Sequence, residues 1–277
     1  MTEIAADKKG EAHAALDFSW PCDAAAIADA IRRTGCAVVR GAIPPAKLVD
    51  IRDRTAATYD KYDALKARNE LPPTFAWTYK FGVLSLLDVF ADYDSALRFI
   101  VEHGQNEAIR AIAKAFFASD LKVEVPRIVF RRQVSTNRNR EIPYHQDFYT
   151  QTEGVQGVLN FWTPFIDCGV TAPSVEVVTH VFDRLLPTRE RPLLPQNESF
   201  DKIHITREQI IDLCGDGKFW HPRLNVGDFL IFSDHVVHRT YMTEDMTQER
   251  QSIEYRVIGD CSILPSYQGP KDRFVRI

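Results

Sequence analysis

The feature that most constrains this chain is a change of hydrophobic period near Asp120. Before it, apolar residues recur at helical spacing; after it, they come in short runs of Val, Ile and aromatics broken by turn-formers. VEVPRIVFRRQ, VLNFWTPF, VEVVTH, DFLIFS and SIEYRVIG are runs of this kind. Helices first and strands afterwards predict an α+β chain with a mainly β core, an antiparallel sandwich or barrel buttressed by N-terminal helices. With 277 residues, 45% of them hydrophobic, the chain can fill one large core.

The helical part reads in some detail. Residues 1–17 are polar and Ala-rich and are expected to form a flexible tail, leaving 18–277 as a single domain. Asp23 can cap a helix that runs through AAAIADAIRR and stops at Gly35. CAVVRG (36–41) reads as a strand, and a second helix starts at Pro44-Pro45 and runs towards Ala67. A third helical pattern covers Ser95 to Ala118. The segment 185–217 is polar and proline-containing, an insertion between strands of the sort that often acts as a lid.

Composition removes several classes of partner. A net charge of −4 gives no global reason to expect nucleic acid or an anionic membrane. Cys22, Cys36, Cys168, Cys214 and Cys261 form no CxxC pair and are odd in number, the pattern of reduced thiols and not of a disulfide framework. The N-terminus has no apolar core and no stretch approaches a membrane span, so the expectation is a cytoplasmic protein acting on a small molecule. Oligomeric state stays open.

Two segments carry the chemistry. YHQDFY places His145 and Asp147 two apart, and alternate residues of a strand share a face, so an imidazole and a carboxylate can reach one metal from one element. Roughly 90 residues later, GDFLIFSDHVVHR offers a turn at Gly227-Asp228, a buried strand and His238. His235, beside Asp234, is the rival third ligand. Two histidines and one carboxylate on one face of an octahedron is the donor set of non-heme iron(II) oxygenases, whose use is the three positions left open. Two of these can chelate a keto acid and the third can take dioxygen. Its distal carboxylate needs a fixed cation, and arginine offers a bidentate fork. Twelve residues after His238, ERQSIEYRV puts Arg250 and Ser252 on one strand face and pairs Glu254 with Arg256 likewise. Arg250 could instead pair with Glu249 or Glu254, in which case Arg256 is the fallback anchor.

Over most of residues 30–260 these motifs resemble the phytanoyl-CoA dioxygenase family of iron(II)/2-oxoglutarate oxygenases. TGCAVVRGAIPPAKLVDIR looks like the family's entry strand and helix, YHQDFY like its HxD, NFWTPFIDCGVTAPSVEVV like its central strand pair and GDFLIFSDHVVHRT like its distal histidine segment. RQS looks like the arginine-serine pair that binds the keto acid. The resemblance implies a double-stranded β-helix (jelly roll, cupin-like), iron held by His145, Asp147 and His238, 2-oxoglutarate and O2 as co-substrates, and hydroxylation of a C–H bond with release of succinate and CO2. Asp147 is retained where halogenases of this fold carry a small residue, which favours hydroxylation. Ser174 and VTHVFDR depart from the family pattern, leaving His180 either lining the pocket or structural.

Other residues are expected around the pocket. Gln133 and Asn160 are assigned to the keto-acid side, because polar groups buried in a jelly roll need a partner. Trp162 shares a face with Asn160 and either lines the pocket or packs the core. Phe148, Tyr149 and Trp77 (in TFAWTYKFG, 74–82) are candidate substrate contacts, as are Arg138 and Arg140 for an anionic or carrier-bound substrate. The competing readings are a jelly-roll metalloenzyme that does not use 2-oxoglutarate (an isomerase, epimerase or other oxygenase) and a non-catalytic ligand-binding homologue.

Overall fold

The computed structural model describes residues 13–72, 82–136, 141–147, 156–188, 204–260 and 274–277. The chain starts its fold earlier than the expected tail allows. Leu16 is only 5% exposed, and strand β1 (Asp17–Ser19) pairs in parallel with β2 (Cys36–Arg40). Leu16 gives the sheet edge an apolar anchor, and its carbonyl accepts from Val38 N.

Helix α1 (Ala24–Thr34) begins where the Asp23 side chain accepts from Ala25 N and ends at Gly35, whose φ of 83° suits the left-handed cap. Its Ile27, Ala28, Ala30 and Ile31 face inward. A 3-10 turn at Pro45–Leu48 leads into α2 (Val49–Ala67). The helical pattern expected over 95–118 divides in two, α3 (Tyr93–Gly104) and α4 (Glu107–Phe117). Asn106 causes the break, because its side chain accepts from Ile109 N and starts a new helix.

The strands form two sheets. The larger runs β1-β2-β9-β6-β11-β4-β12, with β9 at Phe229–Ser233, β6 at Val158–Pro164, β11 at Arg250–Gly259, β4 at Leu121–Glu124 and β12 at Phe274–Arg276. β5 (Val129–Gln133) also pairs with β11 and carries β3 (Val83–Ser85). The smaller sheet is β10-β7-β8, with β7 at Ser174–Val178, β8 at Phe219–Trp220 and β10 at His238–Tyr241. Among the described residues, every strand pairing apart from β1–β2 is antiparallel.

Alternation decides what each face does. Leu159, Phe161, Phe229, Ile231, Ile253, Tyr255 and Val257 share one cluster with helical Ile27, Ile100 and Ile112. Trp162, Leu230 and Phe232 face the smaller sheet and meet Val175 and Val177. The result is a jelly roll: two sheets facing each other, with the helices on the outer face of the larger one.

One turn fixes its entry. Gly227 has φ of 99°, and a Cβ there would meet Ile43 O at 2.4 Å, so only glycine fits. The adjacent Asp228 carboxylate accepts from Gly41 N, Asn225 N and Arg40, tying the end of β2 to the start of β9. This sets the course of the strand that leads to His238. Among the described residues, no helix is long and apolar enough to cross a membrane.

Candidate metal centre

His145 and His238 are held by backbone before any side chain acts. His145 N donates to His238 O at 3.0 Å and His238 N to His145 O at 2.9 Å, a bridge that binds the two segments across the chain. Each ring is then set by a carbonyl, His145 Nδ1 at 2.8 Å from Pro143 O and His238 Nδ1 at 3.1 Å from Val236 O. A carbonyl only accepts, so Nδ1 carries the proton and Nε2 presents its lone pair to the interior.

Gln146, between the ligand candidates, points away from them. Its amide donates to His235 O and Arg184 O and accepts from Leu186 N. Turning residue 146 outward is what turns 145 and 147 inward. The start of the 185–217 insertion thus grips the HxD segment, while Ile205 N donates to Tyr144 O. Helix α5 (Arg207–Cys214) and residues 204–206 are described; 189–203 lie outside the described residues.

Asp147 completes the group. The donor atoms of His145, Asp147 and His238 all lie within 4.8 Å of one another. Burial, together with the nearby His238, lowers the His145 pKa to about 3, so the ring is neutral and ready to bind a cation. Burial alone would raise Asp147, but Arg256, His238 and His145 outweigh it and keep the carboxyl ionised. His235, the rival, has its Nδ1 at 2.7 Å from Phe182 O, outside the donor group. His180 packs edge-on against Phe182.

The interior row of β11 lies beside this group. Arg250 is 2% exposed, donates to Ser174 O at 3.2 Å and sits 5.4 Å from the Trp162 ring. Burial lowers its pKa to about 10, which leaves it cationic at neutral pH. Neither Glu249 nor Glu254 claims Arg250: Glu254 binds Arg131 and Arg256, and Glu249 lies 3.8 Å from Arg132. Arg250 Nε, Ser252 Oγ and Ser174 Oγ are buried without a hydrogen-bond partner, as are both amide atoms of Asn160, which lies opposite Arg256. Unmet buried polar atoms are costly, and several on β11 and the strands around it point to a polar occupant. Gln133 is opposite Arg250 in the sheet and contacts Met242. Trp162 both packs in the interior cluster and lines the cavity between the sheets.

Arg256 is placed differently from the anchor role considered for it. Its Nη2 donates to Asp147 Oδ2 at 3.2 Å and to Glu254, and its Nη1 donates to Arg127 O at 2.7 Å. Arg131 also donates to Glu254. Strand parity was the available signal, since 250, 252, 254 and 256 must share one face of an unbroken strand. Phe148, Tyr149, Trp77, Arg138 and Arg140 lie outside the described residues.

A second polar cluster gave no sequence signal. On the outer side of the smaller sheet, Glu176 accepts from Tyr144 Oη and Arg239 Nε and lies 3.4 Å from His221 Nδ1. Burial would raise its pKa, but His221, Arg239 and Tyr144 bring it down to about 2. The cluster braces Tyr144, the residue immediately before His145.

Fold and donor group together define a jelly-roll protein with a two-histidine, one-carboxylate group beside a cavity between its sheets. No protein-family model matches the sequence, and no curated protein matches it, so the likeness to phytanoyl-CoA dioxygenases rests on motifs. Solved structures do match. The non-heme alpha ketoglutarate dependent epimerase SnoN from nogalamycin biosynthesis is 16% identical with a TM-score of 0.51, covering 90% of this chain and 96% of its own. AviO1 from Streptomyces viridochromogenes Tue57 is 15% identical with a TM-score of 0.55, covering 88% of this chain and 98% of its own. At such identities the likeness is one of fold.

Proposed function

We propose that this chain is an iron(II)- and 2-oxoglutarate-dependent oxygenase of the phytanoyl-CoA dioxygenase type that hydroxylates a small molecule. The observation that carries the reading is the pairing of two fitted features: a His145, Asp147, His238 donor group and, beside it, a buried cationic pocket with unmet hydrogen-bonding groups. The donor set suits iron(II), with two neutral imidazoles and one carboxylate leaving a net positive charge for an anionic co-substrate. When bound, iron with 2-oxoglutarate supplies activation of dioxygen, with succinate and carbon dioxide as by-products and oxidation of a C–H bond as the outcome.

The chain's own part is positioning. Arg250 and Ser252 hold the far carboxylate of the keto acid, and Asn160 donates to and accepts from the same ligand. The cavity lined by Arg250, Arg256, His145 and His238 measures about 30 Å³. On binding, Arg250 exchanges Ser174 O for the incoming carboxylate. Trp162 and Phe232 keep the inner wall apolar, which strengthens every charge interaction there.

A second reading, stereochemical inversion at carbon instead of hydroxylation, is favoured by the fold shared with SnoN, a protein described as an epimerase. Both readings need the same site. Anaerobic addition of iron(II) and then 2-oxoglutarate should raise a visible charge-transfer band that is lost in His238→Ala and weakened in Arg250→Ala. Iron uptake without a band would move the assignment to a metalloenzyme that does not use the keto acid. No iron uptake would leave a ligand-binding homologue. With substrate in hand, an added oxygen atom in the product separates hydroxylation from epimerisation.

A further inference from the structure

The two oxygens of Asp147 are not equivalent. Oδ1 lies 3.9 Å from His145 Nε2, facing the donor group, whereas Oδ2 accepts from Arg256 Nη2 at 3.2 Å. Gln146 and Asp147 lie in coil, so this carboxylate lacks the strand bridge that fixes both histidines. Arg256 itself is fixed from three sides, by its place opposite Asn160 in β11, by Arg127 O and by Glu254. Glu254 is held in turn by Arg131 from the neighbouring β5. A rigid sheet thus reaches a coil residue through an Arg131–Glu254–Arg256 relay.

We infer that Arg256, locked by Glu254, is a positioning residue that reserves Asp147 Oδ2 and leaves only Oδ1 to bind the metal. This rests on the function proposed above and extends it. A carboxylate free to turn can bind through both oxygens and occupy one of the positions that the co-substrates need. A guanidinium on Oδ2 blocks that mode by geometry and draws negative charge away from Oδ1. Lysine could satisfy the charge but not the planar fork that also engages Glu254 and Arg127 O.

The test is titration of the metal-free full chain with cobalt(II), whose visible bands report both occupancy and coordination. Arg256→Gln should weaken cobalt binding about 10- to 100-fold, the usual range for losing a group that orients a ligand, and should shift the bands of the bound metal. Arg256→Lys should restore part of the affinity, while Arg250→Ala should match the wild type with cobalt and fail only with 2-oxoglutarate. Should Arg256→Gln not fold, because Glu254 is left without its cation, the double variant Glu254→Gln/Arg256→Gln removes both charges and is expected to show the same loss. A folded variant with wild-type affinity and wild-type bands overturns the inference and leaves the proposed function standing. A wild-type chain that takes up no cobalt overturns both.

Discussion

The two faces of β11 are opposite in chemistry. Outward, Ile253, Tyr255 and Val257 join the helices in the apolar core. Inward, Arg250, Ser252, Glu254 and Arg256 bring three charges and a hydroxyl to the same depth, all of them buried. Over residues 252–257 one strand therefore makes the fold on its odd-numbered residues and the site on its even-numbered ones. The outward row is stabilised by burial, at roughly 25 cal/mol per Å² of apolar area. The inward row is a cost to the fold, because buried charges stabilise little even when paired. Chains keep such groups for binding, not stability.

Substitutions on the two faces should accordingly separate stability from binding. The largest effect is expected from His238→Ala, which should abolish the iron-keto-acid absorption band while leaving the melting temperature of the metal-free protein within a few degrees of wild type. A large fall in that temperature would mean that the inward face also carries the fold. Phe161→Ala, on the outward face, should do the reverse and cost about 3–5 kcal/mol in urea denaturation. The fraction that remains folded should show the full band.

A titration sharpens the same contrast. His103 packs against Phe99 and Tyr255 on the outward side, and burial lowers its pKa to about 4. The unfolded chain, with an ordinary histidine pKa near 6.5, binds the proton first, so stability falls as pH drops from about 6.5 to 4. The slope for one proton is about 1.4 kcal/mol per pH unit. His103→Gln should remove that slope, which denaturation at a series of pH values would read. An unchanged slope would assign the acid sensitivity to other groups. The smallest effect is expected from Ser252→Ala. Its Oγ has no partner in the folded protein, so stability should change by less than about 1 kcal/mol, while 2-oxoglutarate affinity falls about tenfold. Calorimetry would measure both.

Much of this was legible in the sequence, for reasons that vary by element. The caps of α1 are local chemistry, so Asp23 and Gly35 marked its ends. The division at Asn106 was also written locally, in Gly104-Gln105-Asn106, but the apolar spacing of the two helices runs on across it and hid the break. His145, Asp147 and His238 could be read because their types and spacing are unusual. Which residues meet Arg256 could not, since Asp147 arrives from a coil segment and Arg131 from another strand. The Glu176 cluster joins Tyr144, Glu176, His221 and Arg239, four distant points whose residue types are common on any surface.

The reciprocal backbone bridge between His145 and His238 has a thermodynamic consequence. The pair that presents the two imidazoles also joins the HxD segment to the smaller sheet, so opening this seam and releasing a metal are one event. Any cation that binds only the closed form must then raise the seam's resistance to opening by mass action, about 2.7 kcal/mol at a hundred times its dissociation constant. The amide hydrogens of His145 and His238 become reporters of occupancy, and their exchange with solvent should slow roughly a hundredfold at that concentration.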